Sequence, residues 1–302
     1  MTNTSLPNRE KAISLRLGNL TGESIMIRTA VLATALFAAT PAFAQDAAPL
    51  PDPNDRSDTL TIGAGVAFVP DYEGSDDYEI TPAAAIRGRV GGMSFFSRAT
   101  WLYLDIIPRG SGQLDFDVGP IAGVRMNRTG RVKDHRVRDL PELDTAIEVG
   151  GFAGVSLHGL TNPYDVLSFR VDFLTDVGGA HKSSVITPTI DFGTPLSRTS
   201  YIGASLSADF AGGGYADYYF GIDPVSAAFS GLPAYNPDGG FKSWKLGLIG
   251  AQAITGDLTH GFSLFAAGSY SHLGGDFKDS PIVKQRGSAS QWLGAFGIGY
   301  TF

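Results

Sequence analysis

The chain has 302 residues, with 23 Lys and Arg against 30 Asp and Glu, 39 Gly and no Cys. Glycine runs at nearly twice the usual ~7%, yet there is no Gly-X-Y period and apolar residues are plentiful, so collagen-like fibre and disorder are excluded. The absence of Cys excludes a disulfide scaffold, a thiolate zinc site, a Cys nucleophile and a lipid anchor on an N-terminal Cys. An acidic balance without a long basic run speaks against a nucleic-acid partner, which requires clustered Lys and Arg.

The N-terminus reads as an address. From Met26 the chain runs Met-Ile-Arg-Thr, then an apolar stretch over 30–39, then Thr40-Pro41-Ala42-Phe43-Ala44-Gln45. A basic start, an apolar run too short to span a bilayer and an Ala-x-Ala site form the pattern of a cleaved secretory signal peptide. The expected organisation is a non-native extension over 1–25, from a start codon chosen upstream of Met26, a signal peptide over 26–44, a Pro- and Asp-rich flexible lead-in over 45–58 and a β-barrel over 59–302. Cleavage after Ala44 removes four basic and two acidic side chains and leaves the exported product more acidic still.

Beyond Ala44 no apolar run approaches the ~18 residues of a membrane helix. The dominant pattern is period two. Leu114, Phe116, Val118, Ala122, Val124 and Met126 alternate with Gln113, Asp115, Asp117 and Arg125. Ile147, Val149, Ala153, Val155 and Leu157 alternate with Glu148, Ser156 and His158, and Leu167, Phe169, Val171 and Phe173 with Ser168, Arg170 and Asp172. Successive strand side chains point to opposite faces, so these segments have one apolar and one charged face. They suit either a soluble sandwich with the polar face outward or a membrane barrel with the polar face inward.

Strand candidates of ~11 residues, the length a tilted strand needs to cross a bilayer, favour the barrel. Aromatics near strand ends on the apolar parity, Trp101, Tyr103, Trp244, Trp292 and Tyr300, fit a membrane girdle. The chain ends with Phe296, Ile298, Tyr300 and Phe302 on one parity, which resembles the C-terminal signal read by the barrel-assembly machinery of outer membranes. The expectation is an all-β, up-and-down antiparallel transmembrane barrel of about twelve strands. These lie at 59–69, 78–88, 93–104, 113–126, 145–158, 165–177, 183–193, 199–210, 215–222, 243–254, 261–271 and 291–302; the second and ninth are the weakest, and without them the number is ten. Glycines on the lumen parity, such as Gly119, Gly123, Gly297 and Gly299, leave room inside a small barrel.

If the last strand ends in the periplasm, the connections near 70–77, 105–112, 159–164, 194–198, 223–242 and 272–290 face outward, and the turns at 89–92, 211–214 and 255–260 face the periplasm. The segment 127–143 then falls on the periplasmic side. It carries Arg128, Arg131, Lys133, Arg136 and Arg138 and is a candidate interaction patch toward the cell wall, a solvated charge run without a partner, or the sign of a miscounted strand that places the segment outside.

The ordered set Pro70-Asp71-Tyr72-Glu73-Gly74-Ser75-Asp76, Gly130-Arg131, the run from Leu143 to Phe152, Tyr218-Tyr219-Phe220-Gly221-Ile222, Leu232-Pro233-Ala234-Tyr235 with Gly239-Gly240, and Asp279-Ser280-Pro281-Ile282-Val283 resembles the MipA/OmpV family from about residue 59 to the C-terminus. The resemblance implies an outer-membrane barrel in contact with lipid and lipopolysaccharide. For the family's namesake it implies a scaffold that holds a murein-degrading lytic transglycosylase near a penicillin-binding synthase; other members are described as porin-like or as adhesins. It implies no catalytic motif and no cofactor.

Other chemistry reads more weakly. An outer-membrane lipase needs a Ser and a His near the outer rim; His272 beside Ser271, the Ser280 loop and His158 are the candidates, and no Gly-x-Ser-x-Gly elbow occurs. The five His are scattered without metal-ligand spacing. The acidic cluster Asp71, Glu73, Asp76, Asp77 and Glu79 offers hard oxygen ligands for a divalent cation, or is a solvated hairpin loop. The expected lumen charges are Asp115, Asp117, Arg125, Glu148, Arg170, Asp172 and Asp176, joined by Asp191 and Asp209. Paired, they fill the interior of a scaffold; hydrated, they line a narrow cation-preferring channel.

Overall fold

Alternation of apolar and polar side chains, repeated between turn-forming segments, folds here into strands that curl on themselves. The computed structural model describes residues 57–110 and 112–302; the expected signal peptide lies outside them. The strands are β1 Thr59–Pro70, β2 Tyr78–Val90, β3 Met93–Arg98, β4 Trp101–Asp105, β5 Leu114–Arg125, β6 Ala146–His158, β7 Val166–Asp176, β8 Ser184–Pro195, β9 Ser200–Ala211, β10 Gly240–Ala253, β11 Gly261–Leu273 and β12 Ser290–Thr301. Each pairs antiparallel with its sequence neighbours, and β1 closes on β12 from Thr61 opposite Thr301 to Phe68 opposite Gly294. Closure pairs backbone groups that lipid cannot satisfy.

The parity is that of a membrane barrel. Phe116, Ile147, Phe169, Ile190, Leu206, Leu246 and Phe296 all lie on the outer wall and are exposed, whereas Asp115, Glu148, Arg170 and Asp172 point inward and are buried. A continuous apolar belt of this kind is stable only against acyl chains. Aromatic girdles mark both ends: Trp244, Tyr270 and Trp292 meet edge-on or tilted at one, with centroids 5.3 and 4.8 Å apart, and Phe262, Tyr300 and Phe302 meet edge-on at the other, with both spacings 4.7 Å.

The number of strands matches the expected twelve, but two identities differ. The single strand expected over 93–104 is the hairpin β3–β4, reversed at 99–100 with Ala99 in the left-handed region at φ 50°. This tight reversal moves the inward set from Phe96 and Arg98 to Trp101 and Tyr103. Hence Trp101 and Tyr103 stand in the lumen and not in a girdle. The strand expected over 215–222 is instead a helix, Gly213–Phe220, because Tyr215, Ala216, Tyr219 and Phe220 recur at helical spacing and all are fully buried. Over eight residues an aromatic-rich run does not distinguish the two periods.

One strand gained and one lost keep the total even, yet every strand between them runs opposite to the expected direction. Segment 127–143 therefore lies at the end opposite the start of β1 and the end of β12, with 71–77, 177–183, 212–239 and 274–289. Connections 106–113, 159–165, 196–199 and 254–260 lie at the terminus-proximal end. Segment 127–143 thus lies at the opposite end of the barrel from the one its strand count implied, together with the other long connections.

Candidate functional site

The distal connections fold together into a cap. Its helices are α1 His135–Arg138, α2 Gly213–Phe220, α3 Pro224–Ser230, α4 Gly275–Asp279 and α5 Pro281–Lys284. Asp223 caps α3 by accepting from the N–H groups of Val225 and Ser226, Pro224 starts it, and Gly231 ends it at φ 70°, so the chain itself sets both limits. Tyr72, Val137, Tyr215, Tyr219, Phe220, Phe277, Ile282 and Val283 pack into one apolar cluster. Polar ties cross it: the Tyr72 hydroxyl donates to the Ile282 and Arg286 carbonyls at 3.1 Å each, and Ser280 Oγ donates to the Phe220 carbonyl at 2.6 Å.

The underside of this cap is locked to the barrel interior. Arg125 on β5 grips Glu148 on β6 through Nε at 2.8 Å and Nη2 at 3.1 Å. Trp101 Nε1 donates to the same carboxylate at 3.0 Å, and His181 Nε2 lies 3.0 Å from it. Arg125 Nη1 donates to the Tyr215 hydroxyl at 3.3 Å, and that hydroxyl donates to Glu73 at 2.7 Å. Glu73 then accepts from Lys242, which also stands 3.2 Å from Asp209. A bulge between Phe241 and Ser243 turns Lys242 inward, against the parity of β10.

Burial pushes Glu73 upward, but Lys242 and Arg125 outweigh it and hold the carboxyl below its ordinary range. Burial raises Tyr215, which keeps its hydroxyl protonated and donating. Carboxylates and cations therefore alternate from Glu148 to Asp209, with the α2 tyrosine in the chain. Buried charges need such pairing to be tolerated.

Two further layers fill the same side of the barrel. Arg170 pairs with Asp172 at 2.6 Å and lies over the rings of Tyr103, Phe96 and Phe152, while Arg98 reaches Asp191 at 2.7 Å. Toward the termini Asp115 meets His158 at 3.0 Å, and Ser156 Oγ donates to Asp117 at 2.5 Å. Beside these layers opens a cavity of about 670 Å³, lined among others by Thr81, Trp101, Arg125, Lys245, Ser269, Ser271 and Leu293. The interior is packed with ion pairs along one side and open around this cavity.

Six of the seven expected lumen charges stand in this interior. Asp176 is the exception: its carboxylate accepts from the N–H groups of Gly178, Gly179 and Lys182 and shapes the connection 177–183. The expected basic patch divides. Arg128 is buried, donates to the Tyr219 and Pro141 carbonyls and has its pKa lowered by burial to about 10. Arg136 holds the Ser230 carbonyl at 2.8 Å, and Lys133 ties to Tyr78 and, through its N–H, to Asp71. Arg131 and Arg138 remain exposed. The acidic cluster is likewise split, Glu73 inward to Lys242 and Asp71 to Lys133.

Phe296, Ile298 and Phe302 line the outer face near the C-terminus. Of the hydrolase candidates, Ser271 faces the lumen and Ser280 is buried in the cap. His272 Nδ1 lies 3.2 Å from Ser290 Oγ, a hydroxyl also 3.0 Å from the Tyr270 hydroxyl; among the described residues no carboxylate hydrogen-bonds His272. No group of three His, Asp or Glu side chains among the described residues is placed to hold a metal. Sequence reading missed His181, Tyr215 and Lys242, which sit on connections or on a bulge, where alternation gives no signal.

Among solved structures the chain is similar to an outer membrane channel from Pseudomonas putida F1, at 9% identity over 87% of this chain and 100% of that one, with a TM-score of 0.43. It is also similar to an anion-selective porin from Comamonas acidovorans, at 9% identity over 82% and 99% of the two chains, with a TM-score of 0.34. A FadL homologue of Pseudomonas aeruginosa gives 11% identity over 81% and 89%, with a TM-score of 0.29. No curated protein matches the chain. Residues 62–302, nearly the whole barrel, match the family model described as MltA-interacting protein MipA. This chain, a closed twelve-stranded barrel of the outer membrane, belongs to the MipA family.

Proposed function

We propose that this protein is a non-conducting, non-enzymatic scaffold of the outer membrane that binds murein-processing enzymes through its terminus-proximal rim. The observation that carries the reading is the lock beneath the cap, where Tyr215 joins Arg125 to Glu73 and Lys242. A mouth covered by a folded apolar cluster and a ladder of ion pairs along one side of the interior favour function on the surfaces over passage through the lumen. The family description, an MltA-interacting protein, supports a lytic transglycosylase as the partner.

With the long distal connections outside, the rim available to a periplasmic enzyme comprises 106–113, 159–165, 196–199 and 254–260. Arg198 and Asp257 pair there at 2.9 Å and join two of these turns. The test is titration of a purified lytic transglycosylase against the barrel in nanodiscs. Saturable binding that falls at least tenfold when 106–113 is replaced by a Gly-Ser turn is expected. Absence of binding, or binding lost only when the distal Arg131 and Arg138 are replaced, contradicts the reading.

A further inference from the structure

The hairpin β3–β4 is too short for the wall it belongs to. It pairs with β2 only from Arg87 to Val90, and with β5 only from Trp101 to Tyr103. On that edge of β2, residues 78–86 face no strand; at ~3.4 Å per residue this is roughly 27 Å of open edge. The opening is framed. Its sill is the turn 99–100, fastened by Thr100 Oγ1 donating to the Val124 carbonyl and by the Ile86 N–H donating to Ser97 Oγ. Its lintel is the start of the 126–145 connection, tied across to 71–78 by Asn127 accepting from the Glu73 N–H and by Lys133 on Asp71 and Tyr78.

Outside this window the wall is greasy: Ile80 is 75% exposed and Met126 62%. Inside it lies the cavity, lined by Thr81 and Trp101 near the window and by Lys245, Ser269, Ser271 and Leu293 farther in. In the closed strand order β9 and β10 stand opposite β3 and β4, so Lys245 faces the window from across the lumen. Directly beside Lys245 in register are Ser207 and Ser271. Lys245 makes no ion pair or hydrogen bond among the described residues. Asp209, the acid that feels its charge, is already held by Lys242, Thr187 and Ser243.

An unpaired strand edge is not tolerated against hydrocarbon, because its N–H and C=O groups have no partner there. The window therefore has to present water or a polar ligand to the edge of β2, while its outer margin presents apolar surface to acyl chains. We propose that this window is a lateral portal through which a single-chain anionic amphiphile, carrying a carboxylate or phosphate head, enters this cavity from the membrane and seats its head on Lys245. The head meets the cation and the Ser269 and Ser271 hydroxyls. The chain runs back past Leu293 toward Ile80 and Met126. This stands independently of the scaffold reading and requires only that the barrel sit in lipid.

The test uses the full barrel in detergent micelles with Trp101 as the only indole, by W244F and W292F, and brominated dodecanoate as quencher. Saturable quenching of Trp101 is expected, weakened at least tenfold by Lys245→Gln and restored by Lys245→Arg. Because the chain has no Cys, Ala83→Cys on the lumen face of β2 accepts a bulky maleimide that plugs the window, and this is expected to abolish quenching. Retained resistance of each variant to unheated detergent gels verifies the fold. The water-soluble anion 3-bromopropionate separates the sources: quenching by it that survives the plug places a free-anion site in the lumen and overturns lateral entry. Dodecanoate quenching indifferent to both Lys245→Gln and the plug overturns the proposal outright.

Discussion

Arg125 and Glu148 hold each other by two hydrogen bonds although neither stands opposite the other in register: Arg125 faces Ala146 and Glu148 faces Gly123. The diagonal reach works because Gly123 is bare. A Cβ there would lie 2.6 Å from both the Thr100 carbonyl oxygen and the Trp101 ring, so glycine is what lets Trp101 close onto Glu148.

Removing one member of this pair strands a buried charge. Glu148→Ala is expected to cost ~3–5 kcal/mol, and Arg125→Met combined with Glu148→Leu to recover most of that loss. Urea unfolding of the barrel in phospholipid vesicles measures both. A single variant as stable as the parent would show that the pair is hydrated and that the interior is not filled there.

The cap is expected to loosen in acid. Glu73 titrates below its ordinary value of 4.5 in the folded protein, so its stabilising contribution is present above that value and is lost as pH falls through the lowered one. Protease cleavage within 212–239 should therefore stay slow from neutrality down to the ordinary carboxylate range and accelerate below it. Glu73→Gln should cleave fast at every pH. Cleavage that does not change with pH, or a variant indistinguishable from the parent, would detach Glu73 from the lock.

Among the described residues the buried Tyr219 hydroxyl has no hydrogen-bond partner, and neither has Nδ1 of His181. A donor left unsatisfied costs ~1–3 kcal/mol, so Tyr219→Phe should leave stability unchanged or raise it by about 1 kcal/mol. Tyr215→Phe should lower stability instead, because its hydroxyl bridges Arg125 and Glu73. Unfolding midpoints compared under one condition decide the order of the two.

Much of the fold was legible because alternation has one cause throughout: a wall between lipid and lumen. Ten of the expected strands appear in the barrel with ends shifted by no more than a few residues, and Asp115, Asp117, Arg125, Glu148, Arg170 and Asp172 face inward as their parity demands. The misreadings share a physical reason. A reversal as tight as 99–100, carried by Ala99 and not by a glycine, leaves no mark in the pattern. A buried helix such as α2 is rich in the same aromatics as a strand. From those two differences came the other end of the barrel for 127–143 and the wrong face for Trp101 and Tyr103. The lock itself was half legible: its carboxylates and Arg125 lie on strands, whereas Tyr215, His181 and Lys242 arrive from connections and a bulge.

Glycine positions give a control for barrel closure. A Cβ at Gly119 would fall 1.7 Å from the Leu104 carbonyl oxygen, and one at Gly65 2.1 Å from that of Phe296, whereas Gly294 has open space around it. Gly119→Ala and Gly65→Ala should fail to give the folded, heat-modifiable band on gels, and Gly294→Ala should give it in full. Equal folding of all three would mean that the inter-strand spacing is looser than described.

The central claim is that the cap and its lock close the barrel. Current recorded across a planar bilayer containing the purified protein, at neutral pH in molar salt, tests it most directly. The account predicts no steady conductance for the parent chain. A sustained open-state current through it, with the cap shown intact by protease resistance, would contradict the account.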